Sequence, residues 1–406
     1  MMDVTATPES QGFSTARLEN ITDWMQRYLD EGKLAGTQSL IARHGEVVYS
    51  KWAGQSDIEN NISWNSDTKA RFYSMTKPVT SVALMMLYEK GLFHLDDPIE
   101  DYIPAFKDMR VLRPNAQNID DTEPAITKLT VHHLLTHMSG LTYGFNGGLL
   151  ADAYAAGKMD FGPTRGLLEE QVNKLAQMPL AFNPGSRWNY GVSTDVAGRL
   201  VEVISGMDLR AYFDAHILGP LGMTDTAFDV SAGEAGRFAS LYGVGENAEI
   251  KLLEPAQKSA FLEGRVTCHS GGGGLVSTAG DYFKFAEMLR RRGEYNGVRL
   301  LGSRTVDFMT SNHLQGDLAD NGQPVFSEVS FEGVGFGLGG WVMLDPPKSQ
   351  MMGSAGDFGW GGMANTVFWV DPVEDLTILF LTQLAPSSQF PIRKELRALV
   401  HQSLVD

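Results

Sequence analysis

Arg71-Phe72-Tyr73-Ser74-Met75-Thr76-Lys77-Pro78-Val79 is the stretch on which the reading of this chain turns. It reads as a short strand entering a buried helix, with a serine at the first turn and a lysine three residues on. Val79, Val82, Ala83, Met86 and Leu87 continue it as an apolar stripe, and Gly91 closes it. Pro78 falls in the first turn, where a missing N–H costs least. Residues three apart on a helix share a face, with Cβ atoms about 5–6 Å apart. A hydroxyl that must lose its proton is thereby set beside an amine that can take it. A helix N-terminus also favours negative charge and turns backbone N–H groups toward an incoming carbonyl oxygen. The same positive end, together with burial, disfavours an ammonium.

The spacing alone is not distinctive. A chain of this length contains roughly one or two S-x-x-K matches by chance, and Ser66-Asp67-Thr68-Lys69 is a second one. Ser66 lies in a polar turn ahead of a strand, where i and i+3 need not share a face. Ser74 opens an apolar-striped helix, where they must. Capping of that helix is the competing role for Ser74.

On either side of this stretch the pattern changes character. Ser14 opens a helix carrying Leu18, Ile21, Trp24, Met25 and Tyr28, which stops near Gly32. The segments 37–43 and 46–52 read as strands joined by a two-residue turn at His44-Gly45, and 70–73 as a third. From 92 to 264 strands are scarce and helices recur at 130–138, 167–178, 193–205 and 209–218, with 115–124 a polar surface loop. Strand character returns at 339–344, 364–370 and 376–382, the last two a hairpin, before an amphipathic helix at 391–404. The expectation is an α/β chain, an α+β sandwich. One antiparallel sheet is built from both termini (1–91 and 265–406) and flanked by helices, and a mainly helical domain (92–264) is inserted between. At 406 residues, two domains suit the size at which single cores stop growing.

Composition narrows the class. The chain is 43% hydrophobic and 20% charged, with 44 glycines, as expected of a globular enzyme rich in tight turns. A net charge of -16 argues against nucleic acid or an anionic membrane as partner. No run approaches the ~20 apolar residues of a membrane span. The opening Met1-Met2-Asp3-Val4-Thr5-Ala6-Thr7-Pro8 shows neither a basic region nor an apolar run, so a cytoplasmic location is expected. The lone Cys268 has no partner for an internal disulfide and reads as a small buried residue rather than a reactive thiol.

Other stretches bear on the chemistry. Tyr190 lies in a turn, Asn183 to Val192, just before a helix read as capped by Ser193; packing is the simpler role for it. Gly359-Trp360-Gly361-Gly362-Met363-Ala364 brings a glycine-rich turn to the start of a strand, where backbone can approach a substrate or merely form a bulge. His133 and His137 have the i, i+4 zinc-protease spacing, but Leu134 stands where that motif needs Glu, and adding His132 supplies no acidic ligand, so no metal is expected. The glycines 271–274 lack a following Gly-Lys-Ser/Thr and read as backbone against an active-site wall, not a phosphate loop. Asp195 reads as a first-turn helix charge.

Together these segments resemble the serine β-lactamase and penicillin-binding-protein superfamily, and most closely the class C β-lactamase-like esterases, the family VIII carboxylesterases. The resemblance is carried by Ser74-Met75-Thr76-Lys77 with its exit through Gly91 to Ile99, by Leu134-Leu135-Thr136-His137-Met138-Ser139-Gly140-Leu141, and by Pro184-Gly185 through Tyr190. The stretch Gly271 through Ala279 and Trp360-Gly361-Gly362 with Phe368-Trp369-Val370-Asp371-Pro372 complete it, in the family's order and over most of the chain. It implies a β-lactamase/transpeptidase-like fold and a serine hydrolase without metal or cofactor. Ser74 would be acylated, Lys77 would accept its proton, and Tyr190 would pass a proton to the leaving alkoxide. The backbone N–H groups of Ser74 and Met363 would form the oxyanion hole beside Trp360, Gly361 and Gly362.

Two departures from β-lactamases refine this. Trp360-Gly361-Gly362 stands in place of K-T-G, so the cation that pairs with a lactam carboxylate is expected to be absent. Tyr190-Gly191-Val192 stands in place of Y-x-N, removing an amide. Both favour neutral, apolar esters as substrates. The alternatives are acyl transfer or weak β-lactam or D-peptide cleavage on the same site, and, in another class, a non-catalytic penicillin-recognition-type protein. The loops 143–161 and 317–331 are expected to shape the pocket.

Overall fold

The strands of the principal sheet come from the two ends of the chain. A computed structural model describes residues 3–245, 249–323, 325–326 and 329–406; Met1 and Met2 of the opening stretch, and Pro324, Ser327 and Glu328 of the loop 317–331, lie outside the described residues. In spatial order the strands are Val334–Phe336, Trp341–Met343, Phe358–Gly361, Val367–Asp371, Leu376–Thr382, Gly36–Arg43, Glu46–Asp57 and Ile62–Ser63. Every neighbouring pair is antiparallel, so the N-terminal hairpin joins the C-terminal strands where Leu40 faces Leu379. His44 and Gly45 both take positive φ, 55° and 86°, as a two-residue type I′ turn requires.

The two central strands, Gly36–Arg43 and Leu376–Thr382, are buried along their whole length. Successive side chains of a strand point to opposite faces. Ile41, Ile378, Phe380, Val367 and Trp369 therefore meet Ile21 and Trp24 of the helix Thr15–Asp30 and Leu396 of the helix Ile392–His401. Leu40, Leu379, Leu381 and Phe368 face the other way, into the cluster that holds Val79 and Val82 of Thr76–Glu89 and Phe285 of Ala279–Arg290. Each such side chain, fully buried, contributes about 1.5–3 kcal/mol. A sheet covered on both faces by helices is the sandwich that the strand pattern implied.

The details depart from the pattern in instructive places. The strand expected over 70–73 is only Ala70–Arg71, and it pairs with Val276–Ser277 outside the principal sheet. Of the turn read over Gly359 to Ala364, the first three residues belong to the strand Phe358–Gly361 of the main sheet, and the turn follows at Gly362. The helix over 130–138 shortens to Val131–Leu135, because His137 turns into left-handed backbone with φ 56°. The segment 209–218 splits into an α-helix, Leu209–Phe213, and a π-turn, Asp214–Leu218.

Ser193–Ser205 has the expected bounds and ends at Gly206 with φ 72°, but Val192 is the cap, and Ser193 Oγ instead bonds Ser139 Oγ at 2.7 Å. The middle of the chain also holds two short hairpins, Arg110–Leu112 with Thr122–Pro124 and Leu241–Val244 with Ile250–Glu254. The second is tied to the end of the main sheet by Tyr242 N–H donating to Gln383 O (2.9 Å) and Ala385 N–H to Tyr242 O (2.7 Å). No helix among the described residues is long and apolar enough to cross a membrane.

Candidate active site

The segment before Ser74 is locked on both sides. Arg71, fully buried, donates to Ala239 O (2.7 Å), Ser259 Oγ (3.0 Å) and Glu254 (3.1 Å), and Phe72 N–H donates to Leu275 O (3.1 Å). Tyr73 then adopts φ 44°, left-handed backbone for a bulky residue. Such a conformation costs of order 1–3 kcal/mol and persists only where its surroundings enforce it, commonly at functional sites. Ser74 follows in a short 3₁₀ turn, Tyr73–Met75, which runs into the helix Thr76–Glu89. The serine thus precedes the α-helix proper, yet it still faces Lys77.

Lys77 is fully buried, and its Nζ donates to Ser74 Oγ (3.0 Å), Tyr143 OH (3.0 Å) and Gly272 O (2.7 Å). Tyr190 OH donates to Ser74 Oγ at 2.7 Å, and the lysine nitrogen stands 4.8 Å from the Tyr190 ring centroid. The turn that presents Tyr190 is held by main-chain contacts. Asn189 N–H donates to His137 O (2.9 Å), Asn189 Nδ2 to Leu141 O (2.8 Å), and Asn146 Nδ2 to Tyr190 O (2.7 Å). Ser74, Lys77 and Tyr190, distant in sequence, thus share one hydrogen-bonded cluster.

Tyr143 is the member that sequence reading missed. Burial, then the neighbouring Tyr190 and Asp195, push its hydroxyl well above the usual tyrosine range, so it stays a neutral hydrogen-bonding group. Its signal was its place two residues beyond the 134–141 segment, but an aromatic there is equally suited to packing, and its ring does stack on Phe145 at 4.8 Å.

The opposite wall is the strand Phe358–Gly361 and its turn. Trp360 is buried, its ring 5.5 Å from that of Tyr190 and 5.3 Å from that of Phe336. A side chain at Gly362 would overlap the Phe72 carbonyl and the Thr366 hydroxyl, so only glycine lets this turn lie against the nucleophile turn. Among the described residues, the Met363 N–H has no hydrogen-bond partner, and Met363 lines the same cleft as Ser74. Arg393, on the first turn of Ile392–His401, also reaches this cleft, with Nη2 3.4 Å from Gly362 O. The K-T-G lysine is absent, as the sequence reads, but a cation from elsewhere in the chain lines the cleft. The arginine comes from a helix that no local motif ties to the site.

The cleft holds about 840 Å³ and is walled by Tyr143, Phe145, Tyr154, Phe161, Phe331 and Trp341. Both loops expected to shape it contribute, the first through Tyr143 and Phe161, the second through Val329 and Phe331. Gly272, Gly273 and Gly274 line it, with Gly271 packed behind: a side chain at Gly271 would come within 2.8 Å of Thr194 O, and one at Gly272 would overlap the Asp195 carboxylate.

The remaining candidates turn elsewhere. Lys69 Nζ pairs with Glu234 (2.6 Å) and Asp225 (3.5 Å). His133 accepts from Thr130 N–H in a capping box, and His132 Nε2 meets His313 Nδ1 at 3.3 Å. His137 packs against Tyr190 with ring centroids 5.0 Å apart, and burial, aided by Lys77, holds its imidazole well below the usual range and neutral. The three histidines do not converge, and among the described residues no cluster has the make-up of a metal site. Cys268 is buried, and burial pushes its thiol far up.

Residues 21–402 match the family model described as Beta-lactamase. The chain belongs to the β-lactamase family. It is 35% identical over 361 residues to protein Rv1367c of Mycobacterium tuberculosis, covering 88% of each chain. It is 33% identical over 398 residues to esterase EstB of Burkholderia gladioli, covering 95% of this chain and 94% of that one. Among solved structures it superposes on EstCE1, described as a hydrolase with promiscuous acyltransferase activity, with a TM-score of 0.80, 26% identity and coverage of 97% and 99%. The family explains the sandwich, and the antiparallel sheet with flanking helices is its architecture.

Proposed function

We propose that the chain is a serine carboxylesterase working through an acyl-enzyme on Ser74. The observation that carries this reading is the contact of Ser74 Oγ with both Lys77 Nζ and Tyr190 OH at the floor of an aromatic-walled cleft. Ser74 Oγ attacks the ester carbonyl carbon as its proton passes to the pair of Lys77 and Tyr190. The oxyanion is held by the N–H groups of Ser74 and Met363. Collapse breaks the bond to the alkoxide, which takes a proton from Tyr190. Water then attacks the acyl carbon, the same pair removes its proton, and Ser74 is restored. Division of the chain into 1–91 with 265–406 and 92–264 makes the nucleophile and oxyanion turn the work of one part and both tyrosines the work of the other.

The named activities of EstB and EstCE1 support esters as substrates, and Trp360 on the wall favours apolar ones. Ser74→Ala should abolish hydrolysis of p-nitrophenyl butyrate; retained activity would overturn the assignment. Acyl transfer is the second reading, favoured by the size of the cleft and the description of EstCE1. An acceptor alcohol that raises ester product at the expense of free acid would select it. Nitrocefin turnover matching that of a short ester would instead select lactam cleavage, for which Arg393 supplies a cation. A fluorophosphonate probe that fails to label Ser74 would favour a non-catalytic protein.

A further inference from the structure

Asp195 lies in the first turn of Ser193–Ser205, where a charge serving the dipole of its own helix is usually in solvent. The structure buries it. Asp195 is 1% exposed, and Oδ1 accepts from Ser270 Oγ at 2.5 Å and from Gly272 N–H at 3.0 Å. The carbonyl of the same glycine accepts from Lys77 Nζ at 2.7 Å, so the Gly272 residue joins carboxylate to lysine through its two polar groups. Nothing but glycine fits there, because a Cβ would overlap the carboxylate. Among the described residues, no carboxylate lies within ion-pairing distance of Lys77, which leaves Asp195 as an anion acting on it across one residue.

We infer that Asp195 is a positioning residue for Lys77. It holds Gly272 so that its carbonyl receives the lysine, and its negative charge offsets the positive charge that Lys77 gathers as Ser74 gives up its proton. This rests on the acyl-enzyme reading above. The groups facing Asp195 are Lys77 on the nucleophile helix, Tyr143 and Asp160 on the loop 143–161, and Cys268 and Ser270 on the segment before the glycines. Burial raises its carboxyl to about 6, against the charge of Lys77 and the two hydrogen bonds, with Asp160 adding to the rise. The sign matters. A carboxyl raised in the folded state destabilises the fold increasingly as pH rises from its unfolded value through about 6. The charge is therefore kept at a cost to stability, which a purely structural role does not explain.

The test is the pH dependence of kcat/KM for p-nitrophenyl butyrate in the wild type, Asp195→Asn and Ser270→Ala, with thermal unfolding at pH 8 alongside. Wild-type kcat/KM should fall on an acid limb near pH 6. Asp195→Asn should lose roughly tenfold to a hundredfold in kcat, the scale of one hydrogen bond to a charged group. It should show little change in KM, lack that limb, and unfold no earlier than the wild type. Ser270→Ala removes a donor that stabilises the carboxylate, so its acid limb should move to higher pH. An Asp195→Asn enzyme with wild-type kcat and an unmoved limb overturns the inference. Should that variant fail to fold, an unmoved limb in Ser270→Ala overturns it equally. Ser74→Ala run in parallel keeps the two readings apart: activity surviving there removes the esterase reading, whereas failure of the Asp195 series alone removes only this inference.

Discussion

The two Ser-x-x-Lys stretches, beginning at Ser66 and at Ser74, carry lysines that are almost equally buried, at 2% and 0% exposure. Their partners differ. Lys69 Nζ pairs with the carboxylates of Glu234 and Asp225. Lys77 Nζ sits on a serine hydroxyl, a tyrosine hydroxyl and a main-chain carbonyl, all neutral. Burial and spacing are shared, so neither separates a structural lysine from a candidate base. The partners do, since only Lys77 reaches a serine hydroxyl.

The contrast is broken or sharpened by experiment in order of expected effect. Ser74→Ala should remove ester hydrolysis to the background rate, whereas Ser66→Ala should leave kcat/KM within about twofold, since that serine contacts none of the reacting groups. Comparable losses at both serines would erase the distinction. Lys77→Ala and Tyr190→Phe should each lower kcat by about 10²–10⁴, as expected for lost acid–base catalysis, with fluorophosphonate labelling of Ser74 slowed in parallel.

Lys69→Met should act on stability instead. Removing a buried cation from two partly exposed carboxylates should cost about 1–3 kcal/mol, less than a fully buried pair because solvent screens the acids. Urea unfolding measures this, and steady-state kinetics should show kcat unchanged in the folded enzyme. Tyr143→Phe is the mildest of the series. Loss of one neutral acceptor for Lys77 should slow hydrolysis about tenfold without moving the unfolding midpoint by more than a few degrees. A thousandfold loss would make Tyr143 a proton carrier in its own right.

Much of this was legible in the chain. The hairpin at His44-Gly45, the strand Leu376–Thr382, the helix Ser193–Ser205 and the cap at Ser14 all appear where local pattern puts them, because each depends on contacts within a few residues. Phe358–Gly361 was misread because its glycines, followed by Gly362, weigh locally for a turn or bulge rather than a strand. Its strand state comes from pairing with Trp341–Met343 and Val367–Asp371 on both sides. Tyr143, Asp195 and Arg393 were missed for a related reason. A tyrosine in a loop, an acid in a first helical turn and an arginine on a terminal helix all have ordinary local explanations.

Sequence alone determined the class of fold and family, the serine and lysine on one face, and the tyrosine-bearing turn, since motif order and periodicity are properties of the chain. Tertiary structure decided which of two identical patterns faces neutral oxygens, and that a carboxylate is buried behind one lysine through Gly272. It also brought an arginine to the cleft. The physical reason is range. Spacing governs which side chains share a face over a few ångströms of one helix. The charges that govern a buried amine come from segments more than a hundred residues away, and only folding sets those distances.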